Sequence, residues 1–288
     1  MGGNGTIVVF AKCPLPGSSK TRLAPLLGDD GAALLAQAML SDVLSSLTSC
    51  DRLRDTLKLL VYAPGDSITG SRMTKLLESL GLSCRSSESY TPRMDKQTSW
   101  VLMPMLSDSS DLTSSSLGDK LMDALTRARE LTDDGSPVLF LGMDSPELPI
   151  DEIVRGFEVA SSEDMPRAHL CPANDGGYGL LALPPCAPAS VFLGIRWSCA
   201  LTAISQLKAL SDAGIDVSIG RLMYDIDEPE DVRSLAKRLS SPFSEEATSA
   251  DCDDDVLLRP SFEKSRVGQK SRKCPHTIEA LSKLEVIS

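Results

Sequence analysis

The sequence predicts an α/β protein with a mostly parallel central sheet covered by helices on both faces. Three observations lead there. Residues 6–12, 57–63 and 137–142 are short, continuous apolar runs, the pattern of strands buried on both faces. Segments with helical apolar spacing separate them. Proline, glycine or aspartate ends each run where a strand would leave the sheet.

Taken in order, the run 6–12 ends in Cys13-Pro-Leu-Pro-Gly17, where two prolines in three residues continue neither a ladder nor a helix. Residues 32–47 then form a helix with Leu40, Val43, Leu44 and Leu47 on one face. Strand 57–63 stops at Pro64-Gly65, and helix 71–80 closes on Gly81. Residues 85–116 carry no clear period, and the Ser/Asp/Thr-rich stretch 107–116 is expected to be an inserted surface loop. Helix 117–131, strand 137–142, helix 150–160, strands 168–171 and 179–183, helix 202–213, strand 217–226 and helix 230–239 complete the domain, assigned to residues 1–239. Residues 240–288 are serine-rich, then acidic, then basic, and are expected to be a flexible charged tail. Their removal should barely change thermal stability, although residues 278–287 have the spacing of a short amphipathic helix.

Composition excludes several functions. The net charge of −11 has the wrong sign for a phosphate-backbone binder, and aromatics at 4% leave little to stack on bases, so nucleic acid is not an expected partner. Two histidines, with no serine in GxSxG, leave a Ser-His-Asp apparatus without material. Neither histidine has another ligand at zinc spacing, and apolar neighbours make His169 a core residue. Eight scattered cysteines without a CxxC indicate reduced thiols. Nothing like a leader peptide precedes the first run, and the apolar runs fall short of a membrane span. The expectation is a cytoplasmic protein without a membrane partner.

Ligands of open α/β sheets bind beyond the carboxyl ends of the strands, and three segments there carry chemistry. The first is Lys12 to Arg22, with Pro16, Gly17, Lys20 and Arg22. It reads either as a phosphate-binding loop or as a solvated basic loop. A P-loop is excluded, because the first glycine is missing and Gly17 is not adjacent to Lys20. The second segment supplies carboxylates: Asp144 in Gly142-Met-Asp-Ser-Pro146, and Asp225 with Asp227 in Tyr224-Asp-Ile-Asp-Glu-Pro229. Oxygen ligands with open positions suit Mg²⁺ or Mn²⁺; equally, Asp227 could N-cap the helix that follows. The third is Asp175-Gly176-Gly177-Tyr178, a tight turn or a close approach to a ligand, with Trp197-Ser198 a weaker candidate.

Phe10-Ala-Lys12-Cys-Pro14-Leu-Pro16-Gly17-Ser-Ser-Lys20-Thr21-Arg22, Leu117-Gly-Asp-Lys120-Leu121, Gly142-Met-Asp-Ser-Pro146, Asp175-Gly-Gly-Tyr178, Trp197-Ser198 and Asp225-Ile-Asp-Glu-Pro-Glu-Asp231 together resemble, in order, the DUF2064 family. These are glycosyltransferase-like proteins of GT-A fold, also called radical-SAM/selenodomain-associated transferase 1, some of them assigned to arsenosugar biosynthesis. The resemblance spans roughly residues 6–239. It implies a Rossmann-like GT-A sheet. It also implies phosphate binding by Lys12, Lys20 and Arg22, a metal on Asp144 and Asp227, and nucleotide contact at Lys120. Glu228 stands where related nucleotidyltransferases carry threonine. The expected activity is a metal-dependent transferase using an NDP-sugar and a small acceptor, with Asp175 acting on the acceptor. Nucleotidyl transfer from an NTP and metal-independent nucleotide binding are the alternatives.

Overall fold

Alternation along β1 (Thr6–Lys12) divides its side chains between two cores, with Ile7, Val9 and Ala11 facing one and Val8 the other. The computed structural model describes residues 5–90, 100–105, 116–132, 135–240 and 274–287. The remaining strands are β2 (Leu57–Ala63), β3 (Cys84–Ser86), β4 (Trp100–Pro104), β5 (Val138–Gly142), β6 (Arg167–Pro172), β7 (Tyr178–Leu183) and β8 (Asp216–Ile219). The eight form one sheet in the order β3-β4-β2-β1-β5-β7-β6-β8. All pairings are parallel except those of β7, which runs antiparallel to β5 and β6.

Helices cover both faces, as expected from the sequence. On one side pack α1 (Ala24–Ser49), α2 (Ser67–Ser79) and α4 (Ile150–Ala160), through Leu40, Leu44, Met73, Leu77, Ile153 and Phe157. On the other pack α3 (Leu117–Glu130) and α5 (Thr202–Asp212), through Leu121, Leu125 and Leu210. Asp66 caps α2 by accepting from Thr69 N at 2.8 Å. Ser116 and Asp119 form a reciprocal capping box on α3. Gly81 and Gly214 follow α2 and α5 with φ of 71° and 73°, the left-handed turn that glycine tolerates at a helix end.

Four expectations change. β4 lay in the stretch without a period: Trp-Val-Leu-Met is only four apolar residues, buried on both faces, and shows no alternation by which to recognise it. The strand expected over 217–226 ends at Ile219. Beyond it only Met223 makes a bridge, to Ala173, and Ile226 N donates to the Asp144 carbonyl at 3.1 Å. The helix expected at 32–47 begins eight residues earlier, broken at Gly28 (φ 69°, ψ 169°). Residues Thr21–Ser49 are consequently long and apolar enough to cross a membrane, yet 72% of their most apolar window is buried in the fold.

The fourth change concerns the tail. α7 (Pro275–Lys283) packs against α1 and α6 (Pro229–Ser240) and buries Leu281 completely in a cluster with Leu35, Met39, Val232 and Leu235. Asp42 on α1, 1% exposed, accepts from His276 N (3.0 Å) and Thr277 N (2.7 Å) and so caps α7. Residues 274–287 are therefore part of the packed structure, because their apolar face matches one left open on α1. The acidic and basic runs of the tail, and the serine-rich stretch 107–115, lie outside the described residues.

Candidate active site

Lys20 is the centre of the site. The turn after β1 is closed by Ser18 N and Ser19 N donating to the Leu15 carbonyl and by Leu15 N donating to Ser19 Oγ at 3.2 Å. It delivers Lys20 in a left-handed backbone conformation (φ 50°, ψ 41°) that costs a non-glycine residue about 1–2 kcal/mol. Ser198, also on the cleft wall, has φ 56°. Strain of this kind is tolerated where the surroundings fix the conformation, and it gathers at functional sites.

The Lys20 Nζ, with its side chain 9% exposed, lies 2.7 Å from Asp144 Oδ1 and 2.5 Å from Asp227 Oδ1. Burial pushes the Lys20 pKa down, but the two carboxylates together outweigh it and hold the ammonium above its ordinary value. Two elements bring the carboxylates together. Asp144 follows the end of β5, and the Ile226 N to Asp144 O bond tethers the 225–227 segment beside it. The capping alternative for Asp227 does not hold. Asp231 instead accepts from the backbone N–H of Asp227 (3.1 Å) and Glu228 (2.8 Å), leaving the Asp227 carboxylate for Lys20.

Two clefts meet at Asp144. The basic one, about 590 Å³, is lined by Lys12, Ser18 to Arg22, Lys120 and Asp227. The other, about 280 Å³, has an apolar wall of Phe10, Phe140, Leu121 and Trp197, with Asp175, Tyr178 and Asp225 at its polar edge. Apart from Trp197, sequence reasoning missed the apolar wall. Its one available signal is that Phe10 and Phe140 each stand two residues before a strand end, pointing to the same face as that end.

The Asp175-Gly-Gly-Tyr178 segment is a tight turn and also borders the second cleft. Ala173 O accepts from Gly176 N at 3.1 Å, and Asp175 Oδ1 accepts from Gly177 N at 2.7 Å. Gly176 has φ 89°, and a Cβ there would stand 2.4 Å from the Ala200 carbonyl oxygen. Gly176→Ala is therefore expected to destabilise the protein by about 2–5 kcal/mol, through left-handed strain plus a backbone clash. An unchanged urea midpoint would show that Ala200 yields freely. Behind the turn, burial pushes the Tyr178 phenol above its ordinary pKa, and its hydroxyl donates to Gln206 Oε1 at 3.2 Å.

Asp225 is not grouped with the Lys20 pair. Among the described residues, Asp144, Asp225 and Asp227 form no group whose carboxylate oxygens all lie within 4.8 Å of one another. Burial and then the Asp175 charge push the Asp225 pKa from 3.8 to about 6. Below 3.8 the group is protonated in both states; as pH rises to about 6 the folded protein must ionise it at a cost, so its contribution to stability falls over that window. In EDTA, Asp225→Asn should melt above wild type near about pH 7.5, with the gap closing near about pH 4. A gap that ignores pH would contradict this. Of the other candidates, Pro16, Gly17 and Gly176 shape the loops without lining either cleft, and Arg22 pairs with Glu228 at 3.3 Å on the surface.

Sequence expectation excluded zinc chemistry at the histidines. The fold nevertheless joins His169 to Glu152 (Nε2 to Oε2, 2.8 Å), with Cys171 Sγ 3.8 Å from each.

Residues 88–199 match the family model described as an uncharacterized protein conserved in bacteria, DUF2064. No curated protein matches. A crystal structure assigned as a nucleotide-diphospho-sugar transferase, from Desulfovibrio desulfuricans G20, superposes with TM-score 0.63 at 23% identity, covering 82% of this chain and 87% of that one. A CMP:2-keto-3-deoxy-manno-octonic acid synthetase complexed with CTP gives 0.44 at 12% identity over 82% and 99% of the two chains. A cytidylyltransferase from Leptospira borgpetersenii serovar Hardjo-bovis gives 0.44 at 11% over 99% and 97%. Residues 88–199 are thus similar to the DUF2064 family, and the chain shares its Rossmann-like fold with the Desulfovibrio structure.

Proposed function

We infer that the protein is a metal-dependent transferase that takes a nucleotide-diphospho-sugar in its basic cleft and an acceptor in the adjoining apolar one. The observation that carries this is the position of Asp144. It borders both clefts and, with Asp227, converges on a single cationic centre, Lys20 Nζ.

Two carboxylate oxygens converging on one cation are hard donors that suit Mg²⁺ or Mn²⁺, and Asp144 and Asp227 are the residues that would hold it. Once bound, such an ion neutralises charge on a leaving diphosphate. Lys20 and Lys12 supply positive charge beside the same oxygens, where the partly enclosed cleft strengthens each interaction. Phe10, Phe140 and Trp197 exclude water from the acceptor side. Asp175, held by Gly177 N, orients the acceptor hydroxyl and receives its proton, and Tyr178 and Ser198 border the same space.

Incubation with a panel of NDP-sugars and NTPs in Mn²⁺, followed by assay of small products, tests the proposal. Glycosyl transfer releases NDP. Pyrophosphate would instead identify a nucleotidyltransferase, and neither product with any nucleotide would refute transferase activity.

A further inference from the structure

Away from both clefts, on the α4 side of the sheet, the fold assembles three chemically different donors. His169 and Cys171 are two apart on β6 and so share a face, and Glu152 projects from the first turn of α4. All three are buried, at 0%, 0% and 4% exposure. None of them lines either cleft.

We propose that Glu152, His169 and Cys171 form a binding site for one thiophilic divalent cation of the zinc class, separate from the carboxylate site at Asp144. Nitrogen, sulfur and oxygen donors in one small cluster are the ligand set of Zn²⁺, which accepts all three types. The spacing fits. Bonds of about 2.0–2.3 Å at tetrahedral angles put neighbouring donor atoms roughly 3.3–3.7 Å apart. Here Cys171 Sγ is 3.8 Å from both Glu152 Oε2 and His169 Nε2, and the 2.8 Å between those two atoms needs to open only slightly.

The surroundings are those of a metal site. His169 Nδ1 lies 3.3 Å from Ser218 Oγ, a partner that turns Nε2 toward the cluster. Arg221 Nε donates to Glu152 Oε1 at 3.0 Å, which leaves Oε2 as the ligand atom and offsets anionic charge. Gly220 faces the three donors without a side chain. A Cβ there would stand 2.5 Å from Sγ, 2.5 Å from Oε2 and 2.7 Å from Nε2, so any side chain at this position would collide with all three donors. Binding releases the thiol proton to solvent, and a water completes the fourth position.

Titration of the EDTA-treated full-length protein with Co²⁺, followed by displacement with Zn²⁺, tests the site. Wild type should bind one equivalent with thiolate-to-cobalt charge-transfer absorption in the near ultraviolet. That band should persist in Asp144→Asn and in Cys186→Ser/Cys199→Ser, which removes the two exposed thiols among the described residues. It should vanish in Cys171→Ala, whose fold is checked by its melting curve, and Ser218→Ala should weaken zinc binding about 10-fold. No band in wild type would overturn the proposal, as would a band that survives Cys171→Ala or disappears with the surface thiols.

Discussion

Asp144→Asn is expected to reduce turnover about 10²–10³-fold and to remove the Mn²⁺ dependence of nucleotide affinity. Asparagine keeps the size of the side chain but cannot supply the charge that a divalent ion requires. Lys20 retains Asp227 at 2.5 Å, so the loop stays anchored and the melting temperature should change little. The relevant measurements are thermal shift with a nucleotide panel in Mn²⁺ and in EDTA, together with product formation. Under a metal-independent nucleotide-binding function, affinity in the variant would equal that of wild type. That outcome would remove the metal from the proposed function.

Truncation before α7 should have the largest effect on stability. Leu281 fills a cluster shared with Leu35 and Met39 of α1 and Val232 and Leu235 of α6, and Leu281→Ala alone should cost about 2–5 kcal/mol. Loss of the whole helix also strips Asp42 of both backbone donors, which adds about 1–3 kcal/mol. For a chain of this size each kcal/mol is worth roughly 2–4 °C, so removing residues 274–288 should lower the melting temperature by about 10 °C or more. Calorimetry on the truncated protein decides this. A drop below about 2 °C would mean that α7 does not dock in solution.

That prediction reverses the expectation drawn from the tail's composition, and the reason is general. Serine-rich and charged stretches stand between Ser240 and Cys274, whereas Leu281 and its neighbours are apolar at helical spacing; only the apolar strip of Leu35 and Met39 on α1 determines whether such a short helix has anything to pack on. β4 was hidden for a related reason. Trp100 to Met103 is too short to show a period, and its place between β2 and β3 depends on pairings with residues far away in the chain. The over-long last strand has the opposite cause. Apolar residues recur as far as Ile226, but past Gly220 the segment keeps only the Met223 N to Pro172 O bond to β6 and then bonds through Ile226 N to Asp144 beyond β5.

The basic-loop and carboxylate residues were legible because each is tied to a local signal, a proline-bounded loop or an aspartate closing a buried run. By itself the sequence determined most of the buried strands and helices and marked Lys20, Asp144 and Asp227 as candidates. Tertiary structure alone decided that Lys20 stands between those two aspartates, that Asp225 turns to the other cleft, and that Glu152 meets His169 and Cys171. The physical reason is range. Strand burial, capping and turn chemistry act over a few residues and leave a pattern in the sequence. A contact such as that of Lys20 with Asp227, 207 residues apart, exists only once β1 and the segment after β8 have been brought to the same end of the sheet.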